Sequence, residues 1–318
     1  MYIAALDIGG TKTIAAILNE KGEILAQENF PAELAGYGAH LELCAEAIKR
    51  LIGRTGLTAE DFKGLGVSLP GIVDNGEGIL IYAPYAKWEN VPVAGILKEK
   101  LGIWEIFCEN DVNACAIGEL RFGLGKKYSD FVWMTVSTGV GGAIVSDSRL
   151  IRGGHGFAGE LGHLKVEYEK PARCSCGQFG CLEAHGSGTA LTGQTVLRVK
   201  ESSAFAKALK GRGLKPDGAG CAALAKEGNK DAMEILTQMG TYLGRGVSYC
   251  INVLDTQIVV IGGGVAASLN LLLPSIRASI RQNTFMRMQN IEIIETPLGY
   301  EAALLGAASL VLTHKPNN

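Results

Sequence analysis

Four side chains able to bind one metal ion fall within nineteen consecutive positions: His163, Cys174, Cys176 and Cys181. No other feature restricts the fold so tightly. One imidazole and three thiolates gathered on a single ion would pull residues 163–181 into a closed knuckle. Gly177 and Gly180 stand where such a knuckle has to turn sharply. Three buried cysteines and an unrelated histidine are the plainer reading, and those two glycines favour the ligand set over it. Four protein ligands leave zinc no position open to water, so Zn2+ is expected to be structural here. Glu160 and Glu183 bracket the cluster. The expected work of the metal is to fix a loop that places His163 and both glutamates.

The remaining cysteines argue for a reducing compartment. Cys44, Cys108, Cys115, Cys221 and Cys250 lie in apolar runs, as reduced core residues do. No secretory signal precedes the first strand and no apolar run reaches membrane-spanning length, so a cytoplasmic protein without a membrane partner is expected. A net charge of −2 offers no basic surface for nucleic acid or acidic lipid. The same charge, with no aromatic–basic patch, argues against a zinc-ribbon nucleic-acid module. The 318 residues suffice for one large or two medium domains with real cores.

Strands and helices alternate along most of the chain, which argues an α/β class. Short β-rich runs cover Tyr2–Leu6, Thr13–Leu18 and Glu23–Asn29, then Leu65–Leu69, Glu105–Cys108, Phe131–Val136, Gly142–Val145, Gln257–Ile261 and Ile291–Ile294. Helical spacing marks Leu41–Leu51, Val112–Phe122, Ala232–Leu254 with Asp231 as its N-cap, and Glu301–Leu312. Between Gly186 and Gly228 the periodicity is weak. The hinge between domains is expected near Asn110-Asp111. The loops at 7–12 and 137–142 resemble each other, which hints at a duplicated architecture.

Three of the glycine loops follow strands: Asp7-Ile-Gly9-Gly10-Thr11-Lys12, Ser137-Thr138-Gly139-Val-Gly-Gly142 and Gly262-Gly263-Gly264. Glycine lets backbone N–H groups come close to phosphate oxygens. Thr11 and Thr138 add hydroxyl donors, Lys12 adds a positive charge, and Asp7 could hold a hydrated Mg2+. None of the loops is a P-loop or a GxGxxG dinucleotide fingerprint. Asp111 follows a strand and opens a helix, where a carboxylate is either a cap or, beside Asn110, Glu160, His163 and Glu183, a base aimed at one hydroxyl of a polyhydroxylated ligand.

Taken with Pro70-Gly71, Glu109-Asn110-Asp111, Gly159-Glu-Leu-Gly-His163 and the Cys-x-Cys-Gly-x-x-Gly-Cys knuckle, these loops give the chain a specific resemblance. It resembles the ROK family (repressor, open reading frame, kinase) nearly end to end, and most of all its bacterial glucokinase-type sugar kinases. The resemblance implies an actin-like ATPase fold, hexokinase-like and ribonuclease H-like, with two domains and a cleft between them. Residues 1–111 with about 300–318 would form the small N-terminal domain. Residues 112–299 would form the large domain with the knuckle and the nucleotide loops. It implies an ATP-dependent hexose kinase that phosphorylates a hydroxyl, the 6-OH of glucose first among candidates.

Roles carry over by motif. Asp111 would be the general base. Gly71, Asn110, Glu160, His163 and Glu183 would hold the sugar. Asp7, Gly9, Gly10, Thr11, Lys12, Thr138, Gly139 and Gly263 would hold Mg-ATP. His163 would bind zinc through its other ring nitrogen, with Cys174, Cys176 and Cys181. Where glucokinase-type members often carry Pro-Asn, this chain has Pro84-Tyr85. The acceptor is therefore also sought among N-acetylmannosamine, fructose, mannose, allose and N-acetylglucosamine, with Gly71–Tyr85 and a loop at 186–193 as the selecting regions. The family also holds sugar-responsive repressors with a winged helix-turn-helix ahead of the first loop. That loop begins here at Asp7, which favours a kinase. A homodimer or homotetramer is implied as well.

Overall fold

The computed structural model describes residues 1–102 and 105–313. They divide into two compact units. The first comprises Met1–Ser129, Arg152–Gly156 and the chain from Pro297 onward. In chain order it contains β1 (Tyr2–Ile8), β2 (Lys12–Asn19), β3 (Ile24–Pro31), α1 (Tyr37–Thr55) and β4 (Phe62–Leu69). A small antiparallel sheet of β5 (Ile72–Asp74), β6 (Ile79–Ala83) and β7 (Trp88–Val91) follows. Then come α2 (Val93–Leu101), β8 (Ile106–Asn110) and α3 (Asp111–Phe122). The main sheet runs β3-β2-β1-β4-β8, antiparallel on the β2 side of β1 and parallel on the β4 side.

β1 is buried on both faces, and its alternating side chains feed two cores. Ala4, Leu6 and Ile8 share one with Leu41, Cys44, Ala45, Ile48 and Leu51 of α1. Ile3 and Ala5 share the other with Leu304, Ala307, Ala308 and Val311 of the closing helix, Ala302–Thr313. Small residues make that second contact possible. A Cβ on Gly66 would strike the carbonyl of Ala307, one on Gly306 the carbonyl of Ala114, and one on Gly118 the carbonyl of Ala302. Because α3 packs on the closing helix in this way, the first unit runs on to Ser129, past the boundary expected at Asp111. Residues 314–318, also expected in this unit, lie outside the described residues.

The second unit comprises Asp130–Ile151 and Phe157–Thr296. It begins with β9 (Phe131–Val136), β10 (Val140–Ser146) and β11 (Arg149–Ile151). Helices α4 (Leu182–Gly186), α5 (Gly188–Glu201), α6 (Ser203–Gly211), α7 (Gly218–Lys226) and α8 (Lys230–Leu254) come next, then β12 (Ile258–Gly262), α9 (Leu269–Asn283) and β13 (Glu292–Glu295). Its sheet runs β11-β10-β9-β12-β13, with the same pattern of two antiparallel pairings on one side of the central strand and two parallel pairings on the other. Val132, Met134 and Val136 alternate into a core with Ile235, Met239, Leu243, Val247 and Ile251 of α8. The duplication hinted at by the two loops is thus a duplication of whole sheets.

Local chemistry moves several boundaries. Asn229, not Asp231, caps α8: its side chain accepts from Ala232 N at 3.1 Å. Asp231 is already inside the first turn and instead pairs with Arg198 and Ser202. Residues 186–193 are not a loop, because Ser187 caps α5 by accepting from Ala190 N at 3.1 Å. Glu105 precedes β8, and Gln257 precedes β12.

The glycine contacts of the closing helix give the first test. Gly306→Val should destabilise the protein by about 1–3 kcal/mol or more, since neither neighbouring backbone can yield to the added methyls. The midpoint of urea unfolding reads this directly.

Candidate functional site

In the first unit the candidate residues gather where β8 gives way to α3. Asn110 is the N-cap: its Oδ1 accepts from Val112 N at 3.0 Å and from Asn113 N at 3.1 Å. The capping task that local sequence allowed for Asp111 therefore falls to its neighbour. Asn110 Nδ2 donates to Gly71 O at 3.0 Å and to Asp111 Oδ1 at 3.1 Å. Asp111 Oδ1 also accepts from Val112 N at 3.0 Å, and no hydrogen bond to Oδ2 forms among the described residues. Desolvation, then the negative charge of Asp7, pushes the Asp111 carboxyl up to about 7, against those hydrogen bonds.

Asp7 lies at the end of β1, where Ser68 Oγ donates to its Oδ1 at 2.9 Å. Its pKa is raised by burial, and Ser68 and Lys12 oppose the rise. Gly9 N donates to Lys12 O at 3.0 Å and closes the turn, which leaves Thr11 and Lys12 exposed. A Cβ on Gly10 would lie 3.3 Å from the ring of Tyr85. That ring meets Trp88 edge-on, centroids 5.9 Å apart. The Tyr85 hydroxyl is buried without a hydrogen-bond partner, and burial, followed by Asp111, pushes it up to about 12.

In the second unit the four ligand candidates converge. One donor atom each from His163, Cys174, Cys176 and Cys181 lies within 4.8 Å of all the others, a set that could hold a metal ion. His163 turns Nδ1 to Cys174 Sγ at 3.8 Å and Nε2 toward Glu160 at 3.8 Å. Gly177 and Gly180 both have positive φ, 88° and 75°, so the turns do demand glycine. Glu183 bridges the knuckle to the second glycine loop. Its Oε1 accepts from Ser175 Oγ at 2.7 Å and its Oε2 from Val140 N at 3.1 Å. Gly139 packs against this carboxylate, where a Cβ would collide with Oε2.

A cavity of about 320 Å³ lies beside that loop, lined by Ser137, Thr138, Gly188, Thr189, Thr192, Gly264 and Val265. It joins the second and third glycine loops at the N-terminus of α5, whose Gly188 N donates to Ser137 O at 2.7 Å. Thr189 Oγ1 donates to Thr138 O at 2.8 Å. Gly263, the expected contact, is instead turned into the backbone: a Cβ there would lie 2.5 Å from Val136 O. Gly188, Thr189 and Thr192, which fall in the segment 186–193 expected to choose the sugar, line this cavity.

A family model described as "ROK family" matches residues 3–314. The chain belongs to the ROK family. It is 32% identical over 319 residues to a glucokinase of Thermotoga maritima, which spans 98% of this chain and 97% of that protein. It is 29% identical to a xylose repressor of Caldicellulosiruptor bescii over 98% of this chain and 78% of the repressor. A ROK glucokinase from Streptomyces griseus, solved with glucose and AMPPNP, superposes with a TM-score of 0.81 at 28% identity, covering 99% of this chain and 100% of that one. The fold is the actin-like one of these ROK kinases.

Within this ROK protein the structure brings Asp7, Gly71, Asn110 and Asp111 together in one unit. In the other it brings together Glu160, His163, Glu183 and the cysteines. Motif reading missed Ser175, and it named Thr189 and Thr192 only within the 186–193 segment and Gly264 only within its loop. It also left Glu109 without a role.

The raised Asp111 carboxyl has a consequence for stability. A carboxylate whose folded pKa lies above its unfolded value favours the fold while protonated, and that advantage is lost as pH rises through the folded pKa. Asp111→Asn should therefore raise Tm at pH 8 relative to wild type and leave it nearly unchanged at pH 4. Thermal melts at both values check this.

Proposed function

We propose that this ROK protein is an ATP-dependent hexose kinase. It transfers the γ-phosphoryl group to a sugar hydroxyl, the 6-OH of glucose by preference, with Asp111 as general base. The observation that carries the reading is Asp111 itself. One carboxylate oxygen is held by Asn110 and Val112, the other is left for a substrate proton, and the pKa lies near 7. A base poised near the working pH accepts a proton as the hydroxyl attacks.

Gly71 and Asn110 in one unit, and Glu160, His163 and Glu183 in the other, would bind the sugar hydroxyls. Gly9, Gly10, Thr11 and Lys12 would approach the phosphates. Thr138, with Gly139 and Gly263 behind it, would shape the nucleotide side together with Thr189 and Gly264. Asp7 fits a hydrated Mg2+, because it and Asp111 each gain from a nearby cation. Mg2+ would supply neutralising charge to the phosphates. Tyr85 places an unpartnered hydroxyl beside Asp111 where glucokinase-type members often have asparagine, and it is the residue we assign to sugar choice.

The knuckle fits Zn2+. Two thiolates bound tetrahedrally at about 2.3 Å from zinc stand about 3.8 Å apart, and Cys176 and Cys181 Sγ are 3.8 Å apart. Bound through Nδ1, His163 would keep Nε2 for a sugar hydroxyl. All eight cysteines are free, and among the described residues no helix is long and apolar enough to cross a membrane. We read the protein as a cytoplasmic homodimer or homotetramer.

A second reading, a sugar-sensing ROK regulator, draws on the likeness to the xylose repressor. A regulator would bind sugar without producing ADP. The deciding experiment is ADP release from Mg-ATP with glucose, mannose, fructose, allose, N-acetylglucosamine and N-acetylmannosamine. Sugar-dependent turnover should fall by about 10²–10⁴ in Asp111→Ala. It should also fall about tenfold per unit as pH drops below the Asp111 pKa, because only the ionised form accepts the proton. Sugar binding with no ADP release would favour the regulator.

Zinc has a separate test. Chelation, or Cys176→Ser, should open residues 163–181 to protease and abolish glucose binding while AMPPNP binding survives in part. Unchanged glucose affinity in a zinc-free preparation would remove the metal from the site.

A further inference from the structure

We infer that the Glu109–Arg152 pair is a positioning device for the general base. The inference rests on the kinase reading of Asp111. Glu109 lies in β8, immediately before the capping Asn110, and is only 3% exposed. All of its hydrogen-bonding capacity is committed. Oε1 accepts from Asn110 N at 3.0 Å and from Asn113 Nδ2 at 3.1 Å. Oε2 accepts from Arg152 Nε at 2.9 Å and Nη2 at 2.7 Å.

Those bonds straddle Asp111. Asn110 is the last residue of the strand, and Asn113, itself 7% exposed, belongs to the first turn of the helix. One buried carboxylate thus holds both sides of the junction from which Asp111 projects. The Arg152 guanidinium pairs with it there, and removing one partner of a buried ion pair is costly. An aliphatic residue at 109 would fill the space but accept neither N–H.

The origin of the arginine adds a second layer. Arg152 opens the segment Arg152–Gly156, which folds with the first unit although Asp130–Ile151 before it and Phe157 onward after it fold with the second. Glu160 comes eight residues after Arg152 and His163 eleven. The ion pair therefore anchors the chain to the catalytic junction just before it enters the sugar-binding and knuckle segment. Glu109 and Arg152 touch no reacting atom in this scheme. They act through Asn110 and Asp111.

A structural ion pair would affect stability alone, so the test reads catalysis and pH dependence. The charge of Asp7 on β1 acts on Asp111, and Asp111 acts in turn on Tyr85 after β6 and on Cys115 of its own helix. Arg152→Met would remove a positive charge from this junction and the two bonds that fix Glu109 Oε2. With glucose, or N-acetylmannosamine should glucose be inert, kcat is expected to fall by about tenfold or more while the ATP KM stays within about threefold. The acidic limb of the pH profile should move to higher pH. Arg152→Lys, which keeps the charge but loses the fork, should recover most of the loss.

An Arg152→Met protein with wild-type Tm, kcat and acidic limb would overturn the proposal. If that variant does not fold, the double variant Glu109→Leu, Arg152→Met carries no buried charge, accepts neither N–H and is read instead. It should still show the fall in kcat, now with an unmoved acidic limb, and wild-type kcat in it would overturn the proposal equally. A wild-type protein that turns over none of the sugars sinks the kinase reading, and this inference with it.

Discussion

Each unit depends on one strand that is covered on both faces. β1 and β9 sit at the centre of their sheets, with an antiparallel hairpin partner on one side and a parallel strand on the other. Such a strand has no solvent face on which to place a functional side chain, so chemistry is forced to its ends. Asp7 emerges at the end of β1, Ser137 and Thr138 just past the end of β9, and Asp111 just past the end of the parallel strand β8. The glycine loops are the physical answer to a dense interior: the chain must reverse within a few residues, and small residues let it do so without lifting the backbone away from a ligand.

The same constraint sets the electrostatics. Burial raises both Asp7 and Asp111, and for Asp111 the negative charge of Asp7, at another strand end of the same sheet, adds to the rise. Hydrogen bonds from Ser68, Asn110 and Val112 resist it. The balance leaves Asp111 near 7 instead of in the ordinary carboxylate range. Glu109 shows the opposite solution a few ångströms along the chain. It is more deeply buried than Asp111 but faces a guanidinium. Two adjacent acids, one neutralised and one not, are thereby given different work.

Much of this was legible in the sequence. Strands buried on both faces read as apolar runs, and α8 showed its long apolar stripe, because both depend on local periodicity. The knuckle and its flanking glutamates were visible because ligand spacing within a loop is a local property too. The small sheet β5–β7 was not visible: its strands are only three to five residues long and partly exposed. Helices α5–α7 gave weak signals because each buries only a narrow face. Within the site, Glu109–Arg152 joins residues 43 apart and Thr189–Thr138 residues 51 apart. No local pattern announces such pairs. Gly263 and Gly264 are neighbours of the same type, and only the backbone direction decides which one faces the cavity.

The place of a metal in this arrangement follows from what the protein already secures without it. Glu167 accepts from Glu169 N at 2.8 Å and Lys170 N at 3.2 Å, and binds Tyr242 and Arg245 of α8, which holds its carboxyl down to about 2. That fixes the chain ahead of Cys174. Beyond Cys181, α4 lies against α8: a Cβ on Gly246 would lie 2.5 Å from the side chain of Leu182. The turn between is closed by its own backbone bonds, Cys174 N to Gln178 O at 2.7 Å and Gly177 N to Cys174 O at 3.0 Å, while Ser175 reaches Glu183 and His163 sits 41% exposed. A metal on these four ligands would therefore contribute little to global folding. It would set the His163 ring and, through Ser175, the Glu183 carboxylate, whose other oxygen already rests on the N–H of Val140 in the second glycine loop. Glu183 is the point at which the knuckle and that loop meet, and a small displacement of the knuckle would reach the loop through it.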